Sequence, residues 1–442
     1  MSILKKIVTY TGLVLLYLMV VFPMTLNLLY VKAGLFGLLC LMTVFYWVVR
    51  LRLNLHWHVL IWGVLVTGIG VFFSFTGALE STPGAIKQLQ VYGFWPLVYT
   101  AVLAGASEER VLTRIHETLV VATITIALYG LIVLLTAVGE LPHFAIVEWL
   151  SFEEEEGGGF ADGFFAIRYQ GMNSLPFLIP YMMASLNAGL ESRGNTPSGK
   201  LLIWTALILS LFVAVISGRR GLQVVVVLSP LIVIWLSRHQ GPSQRSQTRA
   251  SMGGLAVACA AIVALFFVYL GSTYNTSFGD MIASFMTGFD FSGVDSESTY
   301  VRREQWYALL WGWEQHPILG NGHGASAAGS IRSLEMPWAY ELYYVALLFQ
   351  VGLVGFFAYF AAMAWIYWKG AAVIRHGAAL GQLMFASLVG LTGVLIASAT
   401  NPYLARFDGW WVVFLPLAII NRWLLRQDTG GGRPSTQLSI VP

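Results

Sequence analysis

The feature that most constrains this chain is a series of long apolar stretches. About twelve segments of its 442 residues are apolar enough to be membrane-spanning helices, namely 7–29, 33–50, 57–77, 92–107, 115–138, 174–190, 200–217, 221–237, 252–271, 339–368, 378–399 and 408–425. Runs of this length match the hydrocarbon layer of a bilayer. We therefore predict an all-α polytopic membrane protein with a single membrane domain over residues 1–426. Because 57% of the residues are hydrophobic and only 11% are charged, the composition excludes an intrinsically disordered chain.

The basic residues indicate how these spans are oriented. If the N-terminus is cytoplasmic, sixteen of the 25 Lys and Arg residues fall on the cytoplasmic side and nine on the outer side. This bias agrees with the positive-inside rule. The first apolar run, Ile7–Leu29, is longer than the hydrophobic part of a signal peptide and lacks a cleavage pattern, so it is expected to remain as a span. Both termini are then cytoplasmic, and the Gly- and Ser-rich tail 427–442 is expected to be disordered.

Two long connections, 139–174 and 272–337, lie on the outer side in this orientation. The basic residues of the outer side are Lys32, Lys87, Arg168, Arg219, Arg220, Arg302, Arg303, Arg332 and Arg406. Charges close to a bilayer are costly unless they reach water or a partner, so these nine need an explanation. We expect the outer connections to form the functional site.

Two consecutive arginines in a tight turn indicate an anion site. Arg219 and Arg220 lie within Ser217–Gly221, and the next helix is predicted to begin near Gly221. The first N–H groups and the dipole of that helix would add to the guanidinium charge. Diphosphate is a natural anion at a membrane surface, and arginine offers its oxygens a bidentate fork. A glycine turn whose arginines simply extend to the lipid headgroups is the alternative.

A second arginine pair opens a predicted amphipathic helix in the connection 272–337. Arg302 is followed by Trp306, Leu309, Leu310 and Trp313 at helical spacing. The helix is predicted to stop at His316 and Pro317, before a loop with Gly320, Gly322, His323 and Gly324. Arg303 adjoins Arg302, and Arg168 lies just before another span. Ordinary solvation at the surface is the alternative explanation for Arg168 and Arg302.

Glu341 is the candidate general base, because it begins the tenth predicted span beside aromatic residues. A Glu in the first turn is also favoured by the helix dipole alone. His316 and His323 are interpreted as structural or solvated. The acidic run Glu153–Glu156 lacks the ligand geometry of a metal site, and the sequence has no nucleotide-binding, redox or zinc motif. We therefore expect no metal and no cofactor.

Together these motifs resemble the O-antigen ligase and O-antigen polymerase superfamily of bacterial envelope glycosyltransferases. Three signatures carry the resemblance: the turn Ser217–Gly221 with Arg220 in the arginine position, then Arg302-x-x-x-Trp306 followed by His316-Pro317-x-x-Gly320-x-Gly322, and finally Glu341-x10-Gly352-x-x-Gly355. Arg168 matches another arginine of the family more loosely. The resemblance implies a C-type glycosyltransferase fold at the inner membrane, with inverting, metal-independent transfer from an undecaprenyl-diphosphate-linked glycan at the periplasmic face.

The resemblance also implies roles for individual residues. The donor diphosphate would be bound by Arg168, Arg219, Arg220, Arg302 and Arg303, and Glu341 would accept a proton from the acceptor hydroxyl. Ligases of the family place His where this chain has Glu341, so we predict a polymerase of O-antigen or exopolysaccharide repeat units. Expected partners are the lipid-linked oligosaccharide, the bilayer and a chain-length regulator, with no nucleic acid.

Two alternatives remain open. The first is a ligase that transfers finished glycan to lipid A-core or to protein. The second is a flippase or transporter of lipid-linked saccharide. A transporter is expected to have basic residues along a path through the bilayer, whereas the arginines here gather on one face and no span interior contains a clear basic residue.

Overall fold

The computed structural model of the protein describes residues 2–23, 26–50, 54–106, 108–137, 139–142, 157–161, 164–188, 190, 197–217, 219–254, 257, 261, 297–329, 336–376 and 378–429. The helices are α1 (Ser2–Val21), α2 (Leu26–Arg50), α3 (Trp57–Leu79), α4 (Ala85–Leu89), α5 (Trp95–Ala106), α6 (Glu109–Ala137), α7 (Leu175–Ala188), α8 (Pro197–Ile216), α9 (Arg220–Ser237), α10 (Glu297–Gln315), α11 (Tyr343–His376), α12 (Ala378–Ala397) and α13 (Trp411–Thr429). A π-helical turn, Gln90–Phe94, joins α4 to α5, and residues 242–254 are also helical.

The chain is a helical polytopic membrane protein. Among the described residues, 7 helices are long and apolar enough to cross a membrane: Leu28–Phe45, Trp57–Leu79, Arg110–Ala137, Gly199–Ile216, Arg220–Ser237, Tyr343–His376 and Ala379–Ala397. Helices suit this setting because every backbone polar group must be satisfied within the chain when water is absent. Most of the predicted apolar stretches coincide with helices, and the full count of twelve spans stays a prediction.

The first two helices meet earlier than the sequence pattern predicts. The pattern places the junction between 29 and 33, whereas α1 ends at Val21 and α2 begins at Leu26. Pro23 explains the difference, since its ring and its missing N–H stop a helix even where the flanking residues are apolar. As a consequence Lys32 lies inside α2 and is fully buried, so its assignment to an outer connection is wrong.

A short β-hairpin is present within the predominantly helical structure. Strand β1 (Gly157–Ala161) pairs antiparallel with β2 (Phe164–Arg168) inside the predicted outer connection 139–174. Three successive glycines in β1 hide the alternating pattern by which strands are recognised, although the two Phe residues and the Ile of β2 suit a strand. A 3-10 turn, Gln170–Ser174, then leads into α7. The acidic run 153–156 lies outside the described residues.

The centre of the helix bundle is α7, whose residues are buried along almost its whole length. It packs most extensively against α12, where small residues allow the two backbones to approach closely. A Cβ added at Gly393 would lie 2.2 Å from the Pro176 carbonyl oxygen, and one at Gly390 would lie 2.8 Å from the Phe177 ring. This packing fixes the start of α7 beside the end of α12.

The C-terminal end of the domain differs slightly from the prediction. Helix α13 continues to Thr429, so residues 427–429, assigned to the disordered tail, are helical. The remainder of the predicted tail lies outside the described residues.

The predicted connection 272–337 also contains regular structure, because α10 occupies Glu297–Gln315.

Candidate functional site

Several helix ends meet at one end of the bundle, which we call the α9 end. The Ser174 hydroxyl, just before α7, donates to the carbonyl of Val20 near the end of α1 at 2.6 Å. The Tyr344 hydroxyl in the first turn of α11 donates to the carbonyl of Leu395 near the end of α12 at 2.5 Å. The start of α9 joins them, because a Cβ at Gly221 would lie 2.8 Å from the Thr400 hydroxyl. The positive-inside bias predicts that this end is periplasmic.

The paired arginines form the start of α9, where the sequence places it. Helix α9 begins at Arg220, and Arg219 is the N-cap residue with an extended backbone (φ −84°, ψ 97°). The Arg219 N–H donates to the Ser217 hydroxyl oxygen at 3.1 Å, and that hydroxyl donates to the Ala214 carbonyl at 2.7 Å. These two bonds fix the backbone of the turn, and with it the start of α9.

Arg219 is held by groups from two other elements. Its Nη1 donates to the Asn173 Oδ1 at 2.5 Å, and its guanidinium hydrogen-bonds the Tyr403 hydroxyl. Burial raises the pKa of Tyr403, and the Arg219 charge offsets part of that rise. Asn173, Tyr403, Arg406 and Asp408 line a cavity of about 30 Å³, which we call the arginine cavity. Its volume is enough for a water molecule.

A buried ion pair lies beside the arginine cavity. Lys32 Nζ lies 2.5 Å from Asp408 Oδ2, and the two side chains are 0% and 3% exposed. Lys32 also donates to the Phe22 carbonyl at 2.9 Å. The pair therefore connects the α1–α2 junction to the segment that precedes α13. Sequence reasoning missed it, although a lysine within an apolar helix and an aspartate at the start of another are expected to find each other.

A second ion pair joins the arginine helix to the candidate base. Arg302 Nε lies 2.6 Å from Glu341 Oε2, across a sequence separation of 39 residues. The side chains are 21% and 13% exposed, so this pair is reachable from solvent. Gln305, one turn further along α10, accepts from the Glu341 N–H at 3.0 Å. Arg302 thus holds the carboxylate of Glu341, and Gln305 holds its backbone N–H.

Gln305 is a site residue that the sequence analysis did not identify. Its side chain is fully buried, and within the described part of the chain its Nε2 has no hydrogen-bond partner. An unsatisfied buried amide is costly unless a ligand or a water completes it. A polar residue among the apolar positions of an amphipathic helix is the signal that could have found it. Of the apolar residues of the predicted helix, Leu309 is buried within the protein and Trp306 is 46% exposed.

The two glycine motifs are partners in one structural unit. The α11 helix is interrupted at Gly352, where φ is 59° and ψ is −170°. The freed backbone groups pair with the loop after α10: the Gly322 N–H donates to the Gln350 carbonyl at 2.8 Å, and the Leu353 N–H donates to the Pro317 carbonyl at 2.9 Å. A Cβ at Gly320 would lie 2.5 Å from the Gly352 nitrogen. The loop after α10 and the interruption of α11 therefore pack backbone against backbone, and the glycines at Gly320 and Gly352 leave room for this contact.

The histidines of this loop have different environments. His316 is exposed, whereas His323 is fully buried. The His323 ring nitrogens lie 3.1 Å from Gln350 Oε1 and 3.2 Å from the Tyr359 hydroxyl, and the ring stacks on Tyr92 at 4.4 Å. Burial lowers the pKa of His323 to about 4, so the ring is neutral at neutral pH. His323 thus connects the loop to α11 and to the π-helical turn.

One predicted site residue, Arg303, is not brought to these clusters, and the side chain of a second, Arg168, is not described. The Arg303 guanidinium lies over the Tyr300 ring at 5.5 Å, on the same helix. Adjacent residues of a helix point about 100° apart, so Arg303 does not accompany Arg302 towards Glu341. Arg168 ends β2 opposite Gly157, and the placement of its side chain lies outside what the structure describes.

The α9 end therefore carries an arginine turn at a helix start, and the arginine–carboxylate pair lies just before α11 at the same end. In the described residues, no group of three or more His, Cys, Asp or Glu side chains is suited to a metal ion. The arrangement can bind an anion through Arg219, Arg220 and the N-terminus of α9, and it can accept a proton at Glu341. Comparison of the chain with protein-family models and with curated protein sequences gives no match.

Proposed function

We propose that this protein is a membrane glycosyltransferase that polymerises undecaprenyl-diphosphate-linked repeat units of a surface polysaccharide, either O-antigen or exopolysaccharide. It acts at the periplasmic face of the bacterial inner membrane, with about twelve spans, a C-type glycosyltransferase fold and both termini in the cytoplasm. The observation that carries the proposal is the Arg302–Glu341 pair, at the same end of the bundle as the Arg219–Arg220 turn. An anion-binding group and a proton acceptor are the two components that this reaction needs.

The leaving group of the reaction is a lipid diphosphate. When the bond between the donor sugar and its phosphate breaks, the electron pair stays on the phosphate oxygen and the negative charge there increases. Arg220, Arg219 and the first N–H groups of α9 stabilise that charge, which is the largest contribution to catalysis in many enzymes. The Asn173 amide oxygen, which now accepts from Arg219, is replaced by a phosphate oxygen.

The nucleophile is a hydroxyl group of the acceptor sugar. Its proton passes to the Glu341 carboxylate as its oxygen forms the new bond to the anomeric carbon, on the face opposite the departing diphosphate. Before donor binding, Glu341 is engaged by Arg302. A donor phosphate that draws Arg302 away frees the carboxylate, so the base is available only when a donor is present. The Gln305 amide can donate to the acceptor oxygen.

The diphosphate site is tested with purified protein in nanodiscs, a lipid-linked repeat unit and a gel that resolves chain lengths. Arg220→Ala and Arg302→Gln are expected to abolish the ladder, because each removes a donor to the leaving group. The matched control is Arg303→Gln, which removes an equal charge one position away and is expected to retain the ladder. Full chain growth in Arg220→Ala contradicts the proposed site.

The same assay distinguishes the ligase. A ligase given only lipid-linked repeat units makes no ladder, and it transfers a single glycan once lipid A-core is added. A polymerase extends the chain without any foreign acceptor. The chain-length regulator proposed as its partner is expected to change the distribution of products and to leave the bond that is formed unchanged.

A transporter of lipid-linked saccharide is the second candidate, because Lys32 is a basic residue inside an apolar helix, contrary to the sequence expectation. Its partner Asp408 neutralises it, which favours a structural role. The test is a liposome assay with a fluorescent lipid-linked saccharide and no acceptor. Lipid translocation that is lost in the double variant Lys32→Met, Asp408→Leu supports the transporter, and absence of translocation by the wild type excludes it.

A further inference from the structure

The loop that follows α10, residues 317–324, turns its polar side chains inward and its apolar side chains outward. We call it the glycine loop. Its exposed residues are Pro317, Ile318 and Leu319, of which Ile318 is 63% exposed and Leu319 is 47% exposed. The Asn321 amide donates to two backbone carbonyls of the protein, each at 3.1 Å. A loop in water is expected to show the opposite arrangement, with polar groups outside.

Successive backbone amides of the glycine loop are bonded within the protein. The Asn321 N–H donates to the Phe349 carbonyl at 3.0 Å, and the His323 N–H donates to the Phe73 carbonyl at 2.8 Å. The N–H of Gly322, between them, is bonded to α11 as well. Irregular backbone occurs at membrane depth only where protein groups satisfy it in this way. The glycine loop therefore meets the main requirement for a non-helical segment inside a bilayer.

Helix α3 shows how deep the glycine loop lies. Trp57 begins α3 at the end of the bundle opposite the α9 end, and Lys369 of α11 lies within electrostatic range of His58 beside it. Trp and Lys side chains are typical of the membrane–water boundary. The Phe73 carbonyl, which the loop binds, is about 24 Å from Trp57 along the helix axis. Since the hydrocarbon layer is about 30 Å thick, this contact lies inside it.

Helix α11 gives a second measure of the same depth. The Val354 N–H donates to the Ile318 carbonyl at 3.1 Å, and Val354 is about 22 Å from Lys369 along the helix axis. Ile318 is therefore several ångströms inside the hydrocarbon layer on the side of the α9 end. The start of α11 is roughly 39 Å from Lys369, so the Arg302–Glu341 pair is in or just outside the headgroup layer.

We infer that the glycine loop is a re-entrant segment of the membrane domain, with Ile318 and Leu319 in contact with the acyl chains of the leaflet at the α9 end. Part of the predicted outer connection 272–337 then enters the bilayer. Helix α10 descends from the headgroup layer to this loop, and its end is marked by the exposed polar residues Glu314, Gln315 and His316. The loop ties the helix that carries Arg302 to a fixed depth, whatever reaction the protein catalyses.

Spin labels test this location in nanodiscs of phosphatidylcholine. The two native cysteines, Cys40 and Cys259, are replaced by serine, and a nitroxide is attached to Ile318→Cys or to Leu319→Cys. Tyr307→Cys is the matched control. Its side chain is also 63% exposed, and it lies about two turns before the end of α10, nearer to the headgroup layer. Only depth in the membrane is then expected to distinguish the labels at 307 and 318.

Power saturation measures how often each label collides with oxygen, which concentrates in hydrocarbon, and with a water-soluble nickel chelate. The ratio of oxygen to nickel collisions is expected to be several-fold higher at residues 318 and 319 than at residue 307. An equal ratio at all three positions overturns the inference. Frequent nickel collisions at 318 and 319 also overturn it, because the loop is then in water. Few collisions of either kind overturn it too, because another protein segment then covers the loop.

A second measurement uses the wild-type protein, so it does not depend on the folding of a variant. A phospholipid with a photoreactive group within one acyl chain is irradiated in the nanodisc, and the labelled peptides are identified. The exposed rings of Phe72 and Phe75, on α3 at a similar depth, are the positive control. Labels on Ile318 or Leu319 as well as on these rings support the inference. Labels on the α3 rings without any on the glycine loop overturn it.

Discussion

Two ion pairs of nearly equal length have opposite surroundings. The Lys32–Asp408 pair spans 2.5 Å with side chains 0% and 3% exposed, whereas the Arg302–Glu341 pair spans 2.6 Å with side chains 21% and 13% exposed. In the first pair, Lys32 also donates a hydrogen bond to the Phe22 carbonyl, which lies at the junction of α1 and α2. The second lies next to a buried glutamine amide that has no partner among the described residues. The length of an ion pair therefore does not show whether a ligand can reach it, whereas the exposure of its side chains does.

Because the two pairs differ in exposure, we expect their loss to have different effects on stability and turnover. A buried charge whose partner is removed keeps its desolvation cost, so the folded state loses stability. When one partner of a partly exposed pair is removed, the other regains part of its hydration. The loss of stability is then smaller than for a fully buried pair. We expect variants of the Lys32–Asp408 pair to change folding and variants of the Arg302–Glu341 pair to change turnover.

The largest expected effect is on stability at the buried pair. Asp408→Ala is expected to lower the free energy of unfolding by about 3–5 kcal/mol, because it leaves the Lys32 ammonium buried without a counter-charge. The measurement is thermal unfolding in detergent. The double variant Lys32→Met, Asp408→Leu is expected to recover most of the loss. A single variant as stable as the wild type would show that Lys32 reaches water, and the distinction between the two pairs would fail.

The next effect is on turnover at the accessible pair. Arg302→Gln is expected to slow chain growth by about 10²–10³-fold, as for loss of one well-placed donor to a developing anion. Its free energy of unfolding should fall by less than that of Asp408→Ala, because Arg302 and Glu341 both keep some contact with solvent. Arg303→Gln is the matched control for both measurements. A loss of stability as large as that of Asp408→Ala would mean that this pair is structural as well.

A smaller effect is expected where the two glycine motifs meet. Gly352→Ala forces a side chain into a left-handed backbone conformation, with its Cβ 2.4 Å from the Ile318 carbonyl oxygen. We expect a loss of about 1–3 kcal/mol of stability, because backbone strain of this kind is not relieved by side-chain movement. The control is Gly241→Ala, where an added Cβ meets no atom within 4 Å. Chemical unfolding of both variants checks the expectation.

The smallest expected effect is a dependence of stability on pH at His323. Burial lowers its pKa to about 4 in the folded protein, below the value of an exposed histidine, so the unfolded chain binds the proton more tightly. The stabilisation by neutral His323 is complete above pH 6.5 and is lost as the pH falls towards 4. Between pH 7 and 6 the loss is under about 1 kcal/mol. The difference between wild type and His323→Gln isolates it, and parallel pH profiles of the two proteins would contradict it.

The sequence predicted most where a residue type has few structural options. Adjacent glycine and arginine residues located the start of α9 to within one residue, since few residues suit a tight turn before a helix. The series of long apolar stretches likewise predicted a helical membrane protein, because a long apolar stretch has few structural options other than a membrane-spanning helix. Hydropathy could not locate the α1–α2 junction, because the residues on both sides of Pro23 are apolar, and the position of Lys32 was wrong as a result.

Contacts between distant segments were the least predictable. The Gly320 and Gly352 motifs are each visible in the sequence, but only the folded backbone shows that they pack on each other. The Arg302–Glu341 pair crosses 39 residues, and no local pattern specifies which arginine meets the carboxylate. Arg303 carries the same charge one position away and is directed elsewhere by the helical repeat.

The most direct test of the central claim is the rate of chain growth by Glu341→Gln, measured with lipid-linked repeat units in nanodiscs. Glu304→Gln, an exposed position on α10, is the control. We expect the wild type and the control to build a ladder of repeat units, and we expect Glu341→Gln to make essentially no product while unfolding at the wild-type temperature. A ladder made by Glu341→Gln at the wild-type rate would contradict the claim that this carboxylate accepts the acceptor's proton.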